Sequence, residues 1–210
     1  MTARITLPSP SAELSQEDQA RADFYALISR LFYAGPDAQL LAAIAGAGDT
    51  AIAGDGAAVP LLTAWQALAA AAATADPEEA RQEYDQVFVG TGKAEITPYA
   101  SHYLAVSMRE RVLVRLRDTL AEMGLAKHES AAEYEDHFSA LCEVMRHLIA
   151  AGSSDAAVQK QKMFFFEYVH FCYGDICAVM IGSTNTDFYK HVAGFTKAFL
   201  DVEASSFEMI

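Results

Sequence analysis

From Gln16 onward, apolar residues return at intervals of three and four in one capped run after another, and they nowhere alternate singly over the length of a strand. That pattern restricts the chain to helices packed on helices. Ser15 stands before Gln16-Glu17-Asp18 as a helix cap with acidic residues in the first turn. Phe24, Leu27, Ile28, Leu31 and Phe32 then mark one face until Gly35-Pro36 stops the run. The same reading predicts helices over about 37–45, 60–75, 77–89, 99–124, 131–150, 155–181 and, after Thr184-Asn185-Thr186, to about 203. Asp76-Pro77-Glu78-Glu79 is a capping-box-like start, and Gly90-Thr91-Gly92 a stop. Residues 1–15 read as a flexible N-terminal segment and 16–210 as one all-helical domain, a single bundle or two helical lobes joined by a hinge before Ser154. The glycine-rich stretch 46–58 reads as a surface loop, and no fixed-period repeat is present.

The balance of charge narrows the partners. Against 28 acidic residues stand 15 Lys and Arg, a net charge of −13. Nucleic acid and anionic membranes are repelled by such a surface, and a charged partner is expected to be basic. Cys142, Cys172 and Cys177 contain no Cys-x-x-Cys and lie inside apolar helical patterns, so they read as reduced core residues of a cytoplasmic protein. The N-terminus lacks the continuous apolar run of a secretory signal, and no uncharged apolar stretch of 18 residues suggests stable membrane insertion.

Chemistry-bearing patterns are few. Glu133-Tyr134-Glu135-Asp136-His137 opens a predicted helix with the apolar stripe Tyr134, Phe138, Leu141, Met145 and Leu148, which places Glu133 and His137 one turn apart and Asp136 at the stripe's edge. Such a cluster can orient an imidazole, bind a basic ligand or hold a metal; it is also what a solvated first turn with a half-buried histidine looks like. Glu167-Tyr168-Val169-His170 is one Glu-x-x-His, the spacing of carboxylate-bridged di-metal bundles, which need two. The residues three before the other histidines are Tyr99, Leu125, Tyr134, Val144 and Phe188, so the second copy is missing and no metal is expected. The aromatic run Met163-Phe164-Phe165-Phe166 with Tyr168, Phe171 and Tyr173 is either a helix buried on most sides or an apolar groove. No phosphate-binding loop or nucleophile motif appears, and nothing in the sequence demands catalysis or a cofactor.

Three blocks occur in a telling order. Glu83-Tyr84-Asp85-Gln86-Val87-Phe88-Val89-Gly90, then Pro98-Tyr99-Ala100-Ser101, then Glu133 to His137 resemble the aromatic-x-x-Leu-Phe-x-Gly-Pro-Gly segment, the Pro-Tyr-x-Ser box and the Glu-Pro-x-Asp-His signature of the TorD/DmsD/NarJ family of redox-enzyme maturation chaperones. Residues 25–32 and Gln161, Phe164, His170, Tyr173, Phe188, Tyr189, Val192 and Ala193 extend the likeness along the chain. Tyr134 replaces the signature's proline, Val87 its leucine and Thr91 the proline of Gly-Pro-Gly.

The resemblance implies a cytoplasmic, non-enzymatic chaperone. Its partner would be the catalytic subunit of a molybdopterin-containing oxidoreductase, bound by its twin-arginine signal peptide or N-terminal region until the cofactor is inserted. The positions matching the family's peptide-binding residues are Tyr84, Val87, Phe88, Pro98, Tyr99, Glu133, Asp136 and His137. An acidic pair would receive guanidinium groups and an aromatic groove the apolar stretch, with Asp136 as the expected charge contact. Two alternatives stay open: a NarJ-like assembly chaperone for an enzyme that is not exported, and a helical metal-dependent enzyme using Glu167, His170 and the Glu133 to His137 cluster. The family resemblance allows a monomer or a domain-swapped dimer.

Overall fold

A computed structural model describes residues 14–48, 59–90, 94–125 and 134–210. The expected segment 1–15 (save Leu14 and Ser15), most of the 46–58 loop, the start of the predicted 131–150 helix and Glu133 lie outside the described residues. Among the described residues the structure is helical, without a strand; one isolated antiparallel bridge joins Tyr99 to His137.

Helix α1, Gln16–Tyr33, is capped as the sequence predicts: Ser15 Oγ accepts the Asp18 N–H at 3.0 Å. It buries Tyr25, Ile28, Leu31 and Phe32 against α6, Phe138–Ala150. After the stop, Gly35 passes so close to the next layer that an added Cβ would lie 2.9 Å from the Arg81 Cα, which only a glycine tolerates. Asp37 caps α2, Ala38–Gly46, and α3, Val59–Thr74, packs on it, with Trp65 donating its indole N–H to the Ala47 carbonyl at 3.0 Å. Asp76 then caps α4, Pro77–Tyr84, with Pro77 in the first turn.

The predicted helix over 77–89 does not stay α-helical. Its last turn, Asp85–Val89, widens to a π-turn closed by Gly90 N–H onto the Asp85 carbonyl at 2.8 Å, and Gly90 leaves it at φ 63°. The predicted helix over 99–124 is likewise divided into a 3₁₀ turn, Ala100–Tyr103, an extended Leu104 and α5, Val106–Glu122. Arg109 holds the break by donating to the carbonyls of Leu104 and His102 at 3.2 and 3.0 Å. Helix α7, Asp155–Phe164, runs through a second π-turn, Phe165–Val169, into α8, His170–Gly182. By length and a mean hydropathy of 1.3 this run from Asp155 to Gly182 could cross a membrane, but half of its most apolar window is buried inside the fold. The last helix, α9, Phe188–Glu208, extends beyond the expected end and packs on α8 and α3.

The buried apolar side chains form one cluster with α1, α6 and α9 at its centre. Phe24, Tyr25, Trp65, Phe195 and Phe199 meet there in tilted and edge-to-face pairs 5.0–5.6 Å apart. A buried carboxylate closes the far end: Glu203 accepts Arg21 Nε–H at 2.7 Å, Arg21 Nη2–H at 2.9 Å and the Tyr25 hydroxyl at 3.1 Å. That bidentate pair ties the first helix to the last. The three cysteines are free and buried, as their apolar surroundings predict, and burial pushes the Cys177 thiol up to about 12.

Candidate functional site

The three sequence blocks, spread over more than fifty residues, meet at one place. Pro98 and Tyr99 run antiparallel to Asp136 and His137: Phe138 N–H donates to the Pro98 carbonyl at 2.7 Å and Ala100 N–H to the Asp136 carbonyl at 2.9 Å. Ser101 N–H adds a bond to Asp136 Oδ2 at 3.0 Å, so the carboxylate fixes the start of the 3₁₀ turn. The first block joins through Ile96 N–H, which donates to the Val87 carbonyl at 2.8 Å, two residues before Pro98. Its ring contacts do the rest. Phe32 of α1 lies edge-on to both Phe88, 5.8 Å, and Phe138, 4.9 Å.

This pairing corrects the predicted helix start. Residues 134–137 are not helical, and α6 begins at Phe138 with His137 as its cap; the His137 Nδ1 accepts the Ser139 N–H at 3.3 Å and therefore carries no proton itself. Asp136 thus does not sit in the first turn of a helix. The backbone of this turn is committed to Pro98 and Ala100, and such non-local bonds override a local helical pattern. Tyr134 is also off the predicted buried stripe, 61% exposed, whereas Phe138, Leu141, Met145 and Leu148 keep it.

The expected binding residues divide into a wall and a face. Tyr84, Val87, Phe88, Pro98, Asp136 and His137 are buried, and Tyr99 is half-buried. Tyr84 donates its hydroxyl to the Tyr33 carbonyl at 2.7 Å and stacks at a tilt on Phe88, 5.0 Å away. Tyr189 of α9 closes the cluster, 5.4 Å from Phe88, its hydroxyl on the Leu31 carbonyl at 3.1 Å. On the outer side Tyr99 meets His137 edge-to-face at 5.1 Å and Tyr134 at 6.2 Å. What reaches the surface here is the half-buried Tyr99 and the exposed Tyr134, beside the half-buried Glu135.

Two contacts at this site have no local signal in the sequence. Glu83 carries no role in the pattern of its block, yet its carboxylate accepts the N–H groups of Asp187, Phe188 and Tyr189 at 2.9, 3.0 and 2.7 Å, which caps α9 from a helix a hundred residues away. Glu135 pairs with Arg117 of α5 at 3.2 Å. A charge alternation along α5 hints that an arginine needs a partner, but nothing in the chain says which one.

The metal alternative finds a different arrangement. Glu167 is paired with Arg115 at 2.8 Å, and the exposed His170 rests its ring 5.1 Å from Phe166. Among the described residues no three His, Cys, Asp or Glu side chains are grouped to hold a metal ion.

No curated protein matches the chain. The family model described as nitrate reductase delta subunit matches residues 55–172, more than half of the 210 and a span containing all three blocks of the site. The chain therefore belongs to the nitrate reductase delta subunit family, the family of NarJ- and TorD-type chaperones.

Proposed function

We propose that the chain is an assembly chaperone which binds the signal peptide or N-terminal region of the catalytic subunit of a molybdenum-containing oxidoreductase. The convergence carries this reading: an aromatic wall, an exposed aromatic face and an acidic turn are brought from three distant blocks to one surface. A twin-arginine peptide offers a basic pair followed by an apolar stretch, the complement of such a surface. Tyr99 with Tyr134 would take the apolar stretch. Tyr84, Val87, Phe88 and Pro98 would hold that face from behind, and His137 would orient Tyr99. Asp136 would lend negative charge while keeping its bond to Ser101. Glu133, outside the described residues, is the remaining member of the set.

The site has no need of chemistry. Holding a flexible segment delays its use until the enzyme is complete, and the chain itself transforms nothing. The family's description, nitrate reductase delta subunit, favours a nitrate reductase-type subunit as the client; in a second reading that client is not exported and is recognised without an arginine pair.

Calorimetric titration of the full chain with a synthetic peptide of two consecutive arginines and an apolar stretch tests the first reading. Replacing both arginines by alanine should weaken binding about tenfold or more, since one charge-assisted hydrogen bond contributes roughly 1.5–3 kcal/mol. Equal affinity for both peptides would leave the second reading, in which the apolar stretch alone is recognised.

A further inference from the structure

One guanidinium is already seated against the acidic turn. Arg117 donates Nε–H to Glu135 Oε1 at 3.2 Å and Nη2–H to Oε2 at 3.3 Å, the side-on fork that a carboxylate offers to arginine. Asp136, its neighbour, is 3% exposed and has Oδ2 engaged by the Ser101 N–H. Of the two acids described in this turn, Glu135 is thus the one that faces a guanidinium.

The two partners are unequally held. The Glu135 side chain is 17% exposed and the Arg117 side chain 49%, so the carboxylate is fixed in the surface while the arginine reaches it from solvent. Helix α5 does not depend on the contact. Leu116 and Leu120 are buried, Thr119 bonds the Tyr168 hydroxyl at 2.8 Å, and Arg115 pairs with Glu167. Arg117 can swing away while the helix stays in place. The hydrogen bonds and charge of Glu135, with smaller contributions from Asp136 and Tyr134, raise the Arg117 guanidinium above its ordinary value.

We infer that Glu135 is the guanidinium seat of this site and that Arg117 is its internal occupant, displaced when an arginine of a client peptide binds. The inference rests on the proposed reading of the site as a receptor for an arginine-bearing peptide. It names the contact residue and adds a regulation. Exchange of one guanidinium for another preserves the fork, whereas a lysine ammonium offers only a point charge, so the seat selects arginine. The internal arginine also sets a threshold, because each client must compete with it.

The experiment uses the full chain labelled with ¹⁵N-arginine, the Arg117 Nε–H resonance being assigned with Arg117→Lys. Acetyl-Arg-Arg-amide at millimolar concentration should move that resonance towards the position of free arginine, and acetyl-Lys-Lys-amide should move it much less. With the longer twin-arginine peptide, Arg117→Gln should bind about twofold to fivefold tighter, the scale of an exposed ion pair removed from competition. Glu135→Gln should bind more weakly, and adding Arg117→Gln to it should change nothing further. A resonance that ignores the arginine dipeptide, or an Arg117→Gln variant that binds no tighter, overturns the inference. The two readings fail differently. If the dipeptide displaces Arg117 but the longer peptide binds no better than the dipeptide, the seat stands and the chaperone reading falls. Tight binding of the longer peptide with Arg117 unmoved has the opposite meaning.

Discussion

Asp136 shows how a residue chosen for charge can be held for shape. Its carbonyl and its carboxylate both accept backbone N–H groups of the Pro98 to Ser101 segment, at 2.9 and 3.0 Å, inside a buried turn. Truncation leaves the Ser101 N–H without its acceptor. Asp136→Ala should therefore cost about 1–3 kcal/mol of stability, while Asp136→Asn, which keeps an oxygen acceptor in the same place, should cost clearly less. Urea unfolding of both variants checks this, and equal losses would mean that the charge and not the acceptor matters. Peptide affinity measured on the asparagine variant then reports the charge alone. The sequence pattern puts Asp136 in a first helical turn and the structure does not, since spacing alone cannot tell such a turn from one whose N–H and C=O groups are claimed by a distant segment.

Among the elements, those with local causes were legible. The Ser15 and Asp76 caps, the Gly35-Pro36 and Gly90 stops and the apolar stripe of α6 follow from residues within one or two turns. What escaped the sequence has distant causes. The π-turn at Asp85–Val89 and the break at Leu104 adjust helices to neighbours from other parts of the chain, and the cap of α9 comes from Glu83. Asp187, the residue in cap position, makes no side-chain cap bond of its own. Hence Glu83→Ala should free the first turn of α9 and loosen Tyr189, which closes the aromatic cluster behind Phe88. A stability loss of about 2 kcal/mol is expected for loss of a charged acceptor serving several N–H groups. Amide exchange should accelerate at Phe188 and Tyr189 well before it does in α1. Unchanged exchange at those two amides would show that α9 starts without Glu83.

At the scale of the whole molecule, the interior is dense with groups that must stay neutral. Burial raises the Cys142, Cys172 and Cys177 thiols, Cys177 to about 12, from an ordinary value of 9, and takes Tyr103 up to about 12 from 10. Tyr25 and Tyr189 are pushed well above 10, again first by burial. Each of these folded-state values lies above that of the unfolded chain. Their contribution to stability is thus fully present below about pH 9 and is lost as the pH rises toward 12, because the unfolded chain releases protons that the folded one retains. With three thiols in play the slope should approach about 4 kcal/mol per pH unit above pH 9, three times the 1.4 kcal/mol of a single site. Urea midpoints should accordingly hold level from pH 7 to 8.5 and fall steeply from pH 9. A chain with all three cysteines changed to alanine should keep its stability through pH 9–10 and decline only where the tyrosines begin to ionise. At pH 8 the native thiols should be silent to a disulfide reagent and react to three equivalents in urea. Rapid reaction of the native protein would place at least one thiol at the surface, and a triple variant with the same alkaline slope would assign the loss of stability to other groups.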